Sequence, residues 1–148
     1  MTQFGYLHGF GSGEGEMKQF YFQIVFTAVL LISGIHFEFW TDGAVIGLIV
    51  FFAIIDLISY TYHLARARTK LFVFEQGVMG TSTKGLFGTT EFALPYNQVM
   101  SISTKKNAVV LHTATGKLTC VSANTAQLEA QIRERLTALQ QASYSTNL

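Results

Sequence analysis

Two apolar runs, 20–37 and 43–62, stand almost end to end, and they limit this chain more than any other feature does. The first carries no Asp, Glu, Lys or Arg, and the second carries only Asp56. At about 1.5 Å of rise per residue, either run as a helix spans a hydrocarbon layer of roughly 30 Å. The chain therefore reads as a membrane protein: a transmembrane helical hairpin over 19–65, then a small α+β domain over 66–141.

Only Glu38, Phe39, Trp40, Thr41 and Asp42 separate the runs, so the helices must be antiparallel, with both chain ends on one side. Arg66, Arg68 and Lys70 crowd the exit of the second run and Lys18 precedes the first, whereas the connection has no base. The positive-inside bias predicts a multi-pass protein of the cytoplasmic (inner) membrane with both termini in the cytoplasm. Trp40 at one interface, with Tyr60 and Tyr62 at the other, fits the aromatic belts. Charge is split in the same sense. Up to residue 65 one base faces five acids, giving −4; beyond it nine bases face four acids, giving +5. A base-rich segment after a span belongs beside an anionic lipid face. The single cysteine, Cys120, excludes an internal disulfide. The N-terminus lacks the pattern of a cleaved leader, so the first span is expected to remain.

Residues 1–18 hold glycines at 5, 9, 11, 13 and 15 and read as a flexible Gly-rich tail, because such a segment buries too little to offset its ordering entropy. The run Gly9-Phe10-Gly11-Ser12-Gly13 follows no predicted strand and lacks the Lys-Ser/Thr of a phosphate loop.

Beyond Lys70, six short runs rich in Val, Ile, Thr, Phe and Leu predict strands at 71–75, 78–83, 89–94, 99–104, 108–113 and 117–122. Gln76-Gly77, Lys84 to Gly88, Pro95, Lys106-Asn107 and Thr115-Gly116 divide them as turns. Alternation sets Met100 and Ile102 on one face against Ser101 and Ser103, and Leu118 and Cys120 inward. An antiparallel meander curling into a barrel or sandwich is the predicted result. A helix follows, with Asn124 as N-cap, Gln127 completing a capping box, and Leu128, Ile132, Leu136 and Leu139 as its apolar stripe. That stripe is expected to close the open end of the barrel, with 142–148 a frayed tail.

The segment Ala93-Leu94-Pro95-Tyr96-Asn97-Gln98-Val99-Met100-Ser101-Ile102, then Val110-Leu111-His112-Thr113 and the strand after Gly116, resembles the bacterial pleckstrin-homology-like (PH-like) domains in its order of features. The resemblance covers about 69–141, roughly half the chain. It implies a seven-stranded bent sheet capped by a C-terminal helix, two N-terminal spans, and a binding scaffold without catalytic machinery. Phosphoinositide-reading members of the wider superfamily carry bases in the first hairpin. Here Phe74-Glu75-Gln76-Gly77-Val78 has none, which points to a protein partner or a second copy instead.

Asp56 is the most unusual residue, since a carboxylate near mid-span costs ~2.5–3.5 kcal/mol on insertion scales. Folding the hairpin about residue 41 brings it level with Thr27 and Gln23, which predicts a protonated carboxyl hydrogen-bonded across the hairpin. Gly43 and Gly47 form a small-xxx-small pair for helix packing. His8, His36, His63 and His112 are scattered, with no metal-ligand spacing, so no metal and no cofactor are expected. Cys120 reads as a small buried hydrophobe. Leu86, Phe87, Lys105 and Lys106 mark loop tips and are the candidate partner contacts, while no basic stripe points to nucleic acid and no small-molecule substrate is evident. The expectation is a non-enzymatic membrane adaptor that binds the bilayer and a protein partner or itself. The alternative is a small oligomeric transport or channel component in which Asp56 lines a polar path.

Overall fold

The computed structural model describes residues 3–36 and 41–147; Trp40, expected at the outer interface, lies outside them. Strand β1 (Leu7–Ser12) leads into helices α1 (Glu16–His36) and α2 (Asp42–Ala67). Strands β2 (Lys70–Phe74), β3 (Gly77–Lys84), β4 (Gly88–Pro95), β5 (Val99–Lys105), β6 (Ala108–Thr113) and β7 (Gly116–Val121) follow, then helix α3 (Thr125–Thr146). Both long helices are long and apolar enough to cross a membrane. Their outward faces, including Phe22, Val25 and Phe26 on α1 and Ile46, Val50 and Ile54 on α2, are exposed.

The domain is two antiparallel sheets, β1-β2-β3-β4 and β5-β6-β7, with no pairing between β4 and β5. It is an open two-sheet arrangement, not a closed barrel. The predicted six strands appear within a residue of their expected bounds. The seventh comes from the glycine-rich segment expected to be a flexible tail. Its glycines recur every second residue because one face of β1 must carry no side chain. A Cβ on Gly11 would sit 2.5 Å from Leu128 Cδ1, and one on Gly13 would sit 2.1 Å from the Arg66 carbonyl oxygen.

The α1–α2 hairpin is thus spliced into the β1–β2 connection. Ser12 pairs with Lys70, and the Gly13 N–H donates to Thr69 O at 3.1 Å. The turn 74–78, read above as the first hairpin of the domain, is the β2–β3 turn. Thr69, fully buried, is the joint: its Oγ1 donates to Arg66 O (2.8 Å) and accepts from the Val121 N–H (2.9 Å). That contact brings the end of β7 to the hairpin. Antiparallel pairing (Lys84↔Gly88, Lys105↔Ala108, Ala108↔Val121) brings the β3–β4 and β5–β6 tips to the same end.

Leu71, Val73, Val78, Val109, Leu111 and Cys120 fill the space between the sheets, and Leu128 and Ile132 of α3 close it. Leu136 packs partly, but Leu139 is 43% exposed, so the stripe ends one turn early. Helix α3 runs on to Thr146, where a frayed tail from 142 was expected. Asn124 is the N-cap residue as expected, but the capping box is absent because its Oδ1 accepts from Ser122 Oγ and makes no cap bond; its Nδ2 donates to Phe10 O (3.1 Å). Gln131 Nε2 likewise donates to His8 O (3.1 Å), so α3 satisfies carbonyls of the edge strand β1. Thr104 Oγ1 and Arg133 both donate to Glu129, holding its carboxyl below the usual range, with the Arg133 bond the larger cause. Met100 is 73% exposed rather than inward with Ile102, since a register shift between Val99 and Ser101 turns it over.

Tyr96 donates to Phe74 O at 2.6 Å, and burial pushes its phenol up to about 12. Burial also pushes the Cys120 thiol up to about 12. Both groups stay protonated in the folded chain at a pH where the unfolded chain releases its protons. Stability should therefore fall as pH rises above about 9, the ordinary thiol range. Thermal unfolding midpoints in detergent at about pH 8 and about pH 10.5 measure this. The fall should shrink in Tyr96→Phe/Cys120→Ala relative to that variant's own value near pH 8; an equal fall in both would contradict the assignment.

Candidate functional site

Three groups of side chains cluster along the hairpin and the end of the domain that receives it. The first lies between the helices. Phe20, Thr27 and Gly34 of α1 recur every seven residues and are buried, the spacing of a left-handed helix seam. Within it Gln23 Nε2 donates to Asp56 Oδ1 at 2.9 Å, and Ser59 Oγ donates to Gln23 Oε1 at 2.8 Å. Level-matching about the connection identified both Gln23 and Thr27. The structure gives the bond to Gln23 and places Thr27, buried, one turn along the seam. Gly43 and Gly47 take no part in this packing. A Cβ on either would meet nothing within 4 Å, and the small residue in the seam is Gly34.

An unpartnered polar side chain between two apolar helices would be costly, so the Gln23–Asp56 bond is testable as a cycle. Gln23→Leu should destabilise the hairpin by on the order of 1 kcal/mol, read as a shift in its SDS-unfolding curve. Asp56→Leu added to it should restore the loss. A double variant no better than Gln23→Leu would show that the pair is not coupled.

The second group is at the α2 exit. Glu16 is buried, and its Oε2 lies 3.3 Å from both His63 Nδ1 and Arg66 Nε. Arg66 Nε is off the hydrogen-bonding line, and the bond runs from its terminal nitrogen to Oε1 at 3.4 Å. The guanidinium also stands 5.4 Å from the Tyr62 ring centre. Arg66, expected only as an orientation charge, is thus a clamp between the two helices. Arg68 and Lys70 are exposed.

The third group is the pair of loop tips. Leu86 and Phe87 border an apolar groove of about 300 Å³ with Ile55, Ile58 and Tyr62 of α2. Lys105 and Lys106 border a polar cavity of about 400 Å³ with Glu16, Gln19, Tyr62 and Arg66. Spacing along the chain did not bring these four tip residues together with the hairpin; the strand directions do.

Elsewhere, Ser103 Oγ lies 3.0 Å from His112 Nε2 on the exposed face of β5–β6, a cross-strand pair that the sequence reading missed. On the outer face of the larger sheet, register lines up Phe10, Phe72 and Met79, with the Phe10 and Phe72 rings 4.9 Å apart. No group of three His, Cys, Asp or Glu suited to a metal ion occurs among the described residues. No known protein family matches the chain, and no curated protein matches its sequence.

Proposed function

We propose that this chain is a non-enzymatic, membrane-anchored scaffold. Its hairpin crosses the cytoplasmic membrane twice, and its PH-like domain stands at the cytoplasmic face to bind a protein partner or a second copy. The observation that carries this reading is the splice of the hairpin into the β1–β2 connection. A domain joined to its anchor by two short, hydrogen-bonded connections cannot swing, and it offers one constant face away from the bilayer. The exposed apolar sheath of α1 and α2 supports a lipid environment, because a soluble monomer rarely leaves so large a patch in water. Seven strands with a capping helix support the family resemblance. The buried Cys120, its thiol pushed up to about 12, is unsuited to nucleophilic chemistry.

The outward surface includes the Phe10–Phe72–Met79 row, and in-cell photo-crosslinking tests it. A photoreactive residue at Met79 or Met100 should yield a discrete protein adduct from carbonate-washed membranes, either a partner or a dimer of the chain. Release of the protein by the carbonate wash, or no discrete adduct from either position, would refute the scaffold reading.

A further inference from the structure

We infer that the hairpin end of the domain is a binding site for one anionic phospholipid of the leaflet in which the hairpin emerges. Its phosphate sits in the Lys105–Lys106–Arg66 cavity, and an acyl chain lies in the groove between α2 and the Leu86–Phe87 tip. The inference rests on the membrane reading above and adds what the domain does with its membrane side.

Depth is the first argument. The tip residues share a groove with Ile55 and Ile58, which lie one to two turns inside the Tyr62 level of α2. If α2 spans the bilayer, that level is hydrocarbon, so Leu86 (66% exposed) and Phe87 (51% exposed) meet acyl chains, not water.

The second argument is the order of chemistry along the helices. The polar cavity and the apolar groove share Tyr62. On α1, Glu16 and Gln19 line the cavity, and Gln23, the next position on the same face, lines the groove. Cationic and amide groups toward the domain, then apolar groups toward mid-span, is the sequence headgroup–acyl chain of a lipid.

Charge is the third. Glu16 is the one acid of the cavity and is bound by Arg66 and faced by His63. No ion pair among the described residues engages Lys105 or Lys106, so the cavity offers two uncompensated ammonium groups to a phosphodiester. Lys70 and Lys84 stand exposed at the same end and extend the positive rim.

The test reconstitutes the full chain, on a Trp40→Phe background, in vesicles of phosphatidylcholine with a minority of phosphatidylglycerol, one or the other brominated on its acyl chains. Single tryptophans replace Phe87, Ile58 or Met100. Phe87→Trp should be quenched as strongly as Ile58→Trp and far more than Met100→Trp. Per mole of brominated lipid, phosphatidylglycerol should quench Phe87→Trp about threefold more than phosphatidylcholine, and Lys105→Gln/Lys106→Gln should abolish that preference. Strong quenching of Ile58→Trp with Phe87→Trp no better than Met100→Trp would overturn the inference and leave the membrane reading intact. An unquenched Ile58→Trp would overturn both. Equal quenching by the two lipids, or a preference that survives the lysine changes, would overturn the phosphate assignment. Quenching that rises as protein is diluted in lipid would mean that a second copy occupies the groove, and would overturn the lipid site.

Discussion

Alanine substitution of the glycines along β1 and its connection to α1 should produce a graded loss of stability, with Gly13→Ala the most damaging single change. A Cβ at Gly13 meets backbone, the Arg66 carbonyl oxygen at 2.1 Å and Thr69 Oγ1 at 2.9 Å, and backbone at a helix exit cannot retreat without opening the joint. The Gly13–Thr69 hydrogen bond and the Thr69 bonds to Arg66 and Val121 depend on that approach. The expected loss is about 3 kcal/mol, the upper part of the range for overpacking. Gly11→Ala should cost about 2 kcal/mol, since its Cβ meets Leu128 Cδ1 and Ser122 Oγ, side-chain atoms that can shift partly. Gly9→Ala meets only the end of Gln131, which can move by giving up its bond to His8 O. Gly15→Ala has open space and should change stability by less than about 0.5 kcal/mol. Thermal unfolding in nanodiscs reads the series, at about 4–8 °C per kcal/mol for a domain this small. Equal effects at Gly13 and Gly15 would mean that the segment does not pack as a strand.

Removing 124–148 should leave the hairpin in place and unfold the sheet domain. Leu128 and Ile132 are fully buried, and burying each contributes about 1.5–3 kcal/mol. Together they approach the net stability of a small domain, about 5 kcal/mol at the low end. The deletion also strips the donors of Asn124 and Gln131 from the carbonyls of Phe10 and His8, exposing the edge of β1. Ending the chain after Gln140 should cost less than about 1 kcal/mol, because the last turns of α3 are exposed. Limited proteolysis between Lys70 and Val121 distinguishes the two truncations. A protease-resistant sheet domain without α3 would remove the helix from the core.

The hairpin, the six later strands and the apolar stripe of α3 were legible because each is a local pattern repeated within one element. The Gln23–Asp56 bond was legible for a different reason: two antiparallel helices of known rise share a level, so counting from the connection finds the partner. The reading failed at Gly9, Gly11 and Gly13. Glycine counted as lost ordering entropy argues for a flexible tail, whereas glycine counted at a period of two argues for a strand with one bare face. At Asn124 the N-cap position was legible but the capping box failed, since its Oδ1 accepts from Ser122 and its Nδ2 is used by β1, a strand more than a hundred residues earlier in the chain. Met100 was lost to a register shift that leaves no mark in the alternation before it.

Hydropathy and periodicity by themselves determined that two long apolar helices precede a sheet domain closed by an amphipathic helix, because those signals add up residue by residue along the chain. Closure in three dimensions decided the rest: that the hairpin is an insert within the first sheet, that Arg66 clamps Glu16, and that Leu86, Phe87, Lys105 and Lys106 gather around the α2 exit. The physical reason is that the pairing of β1 with β2 joins chain segments on either side of the hairpin, and the β3–β4 and β5–β6 hairpins turn back at the end of the domain where that pairing holds the two helices.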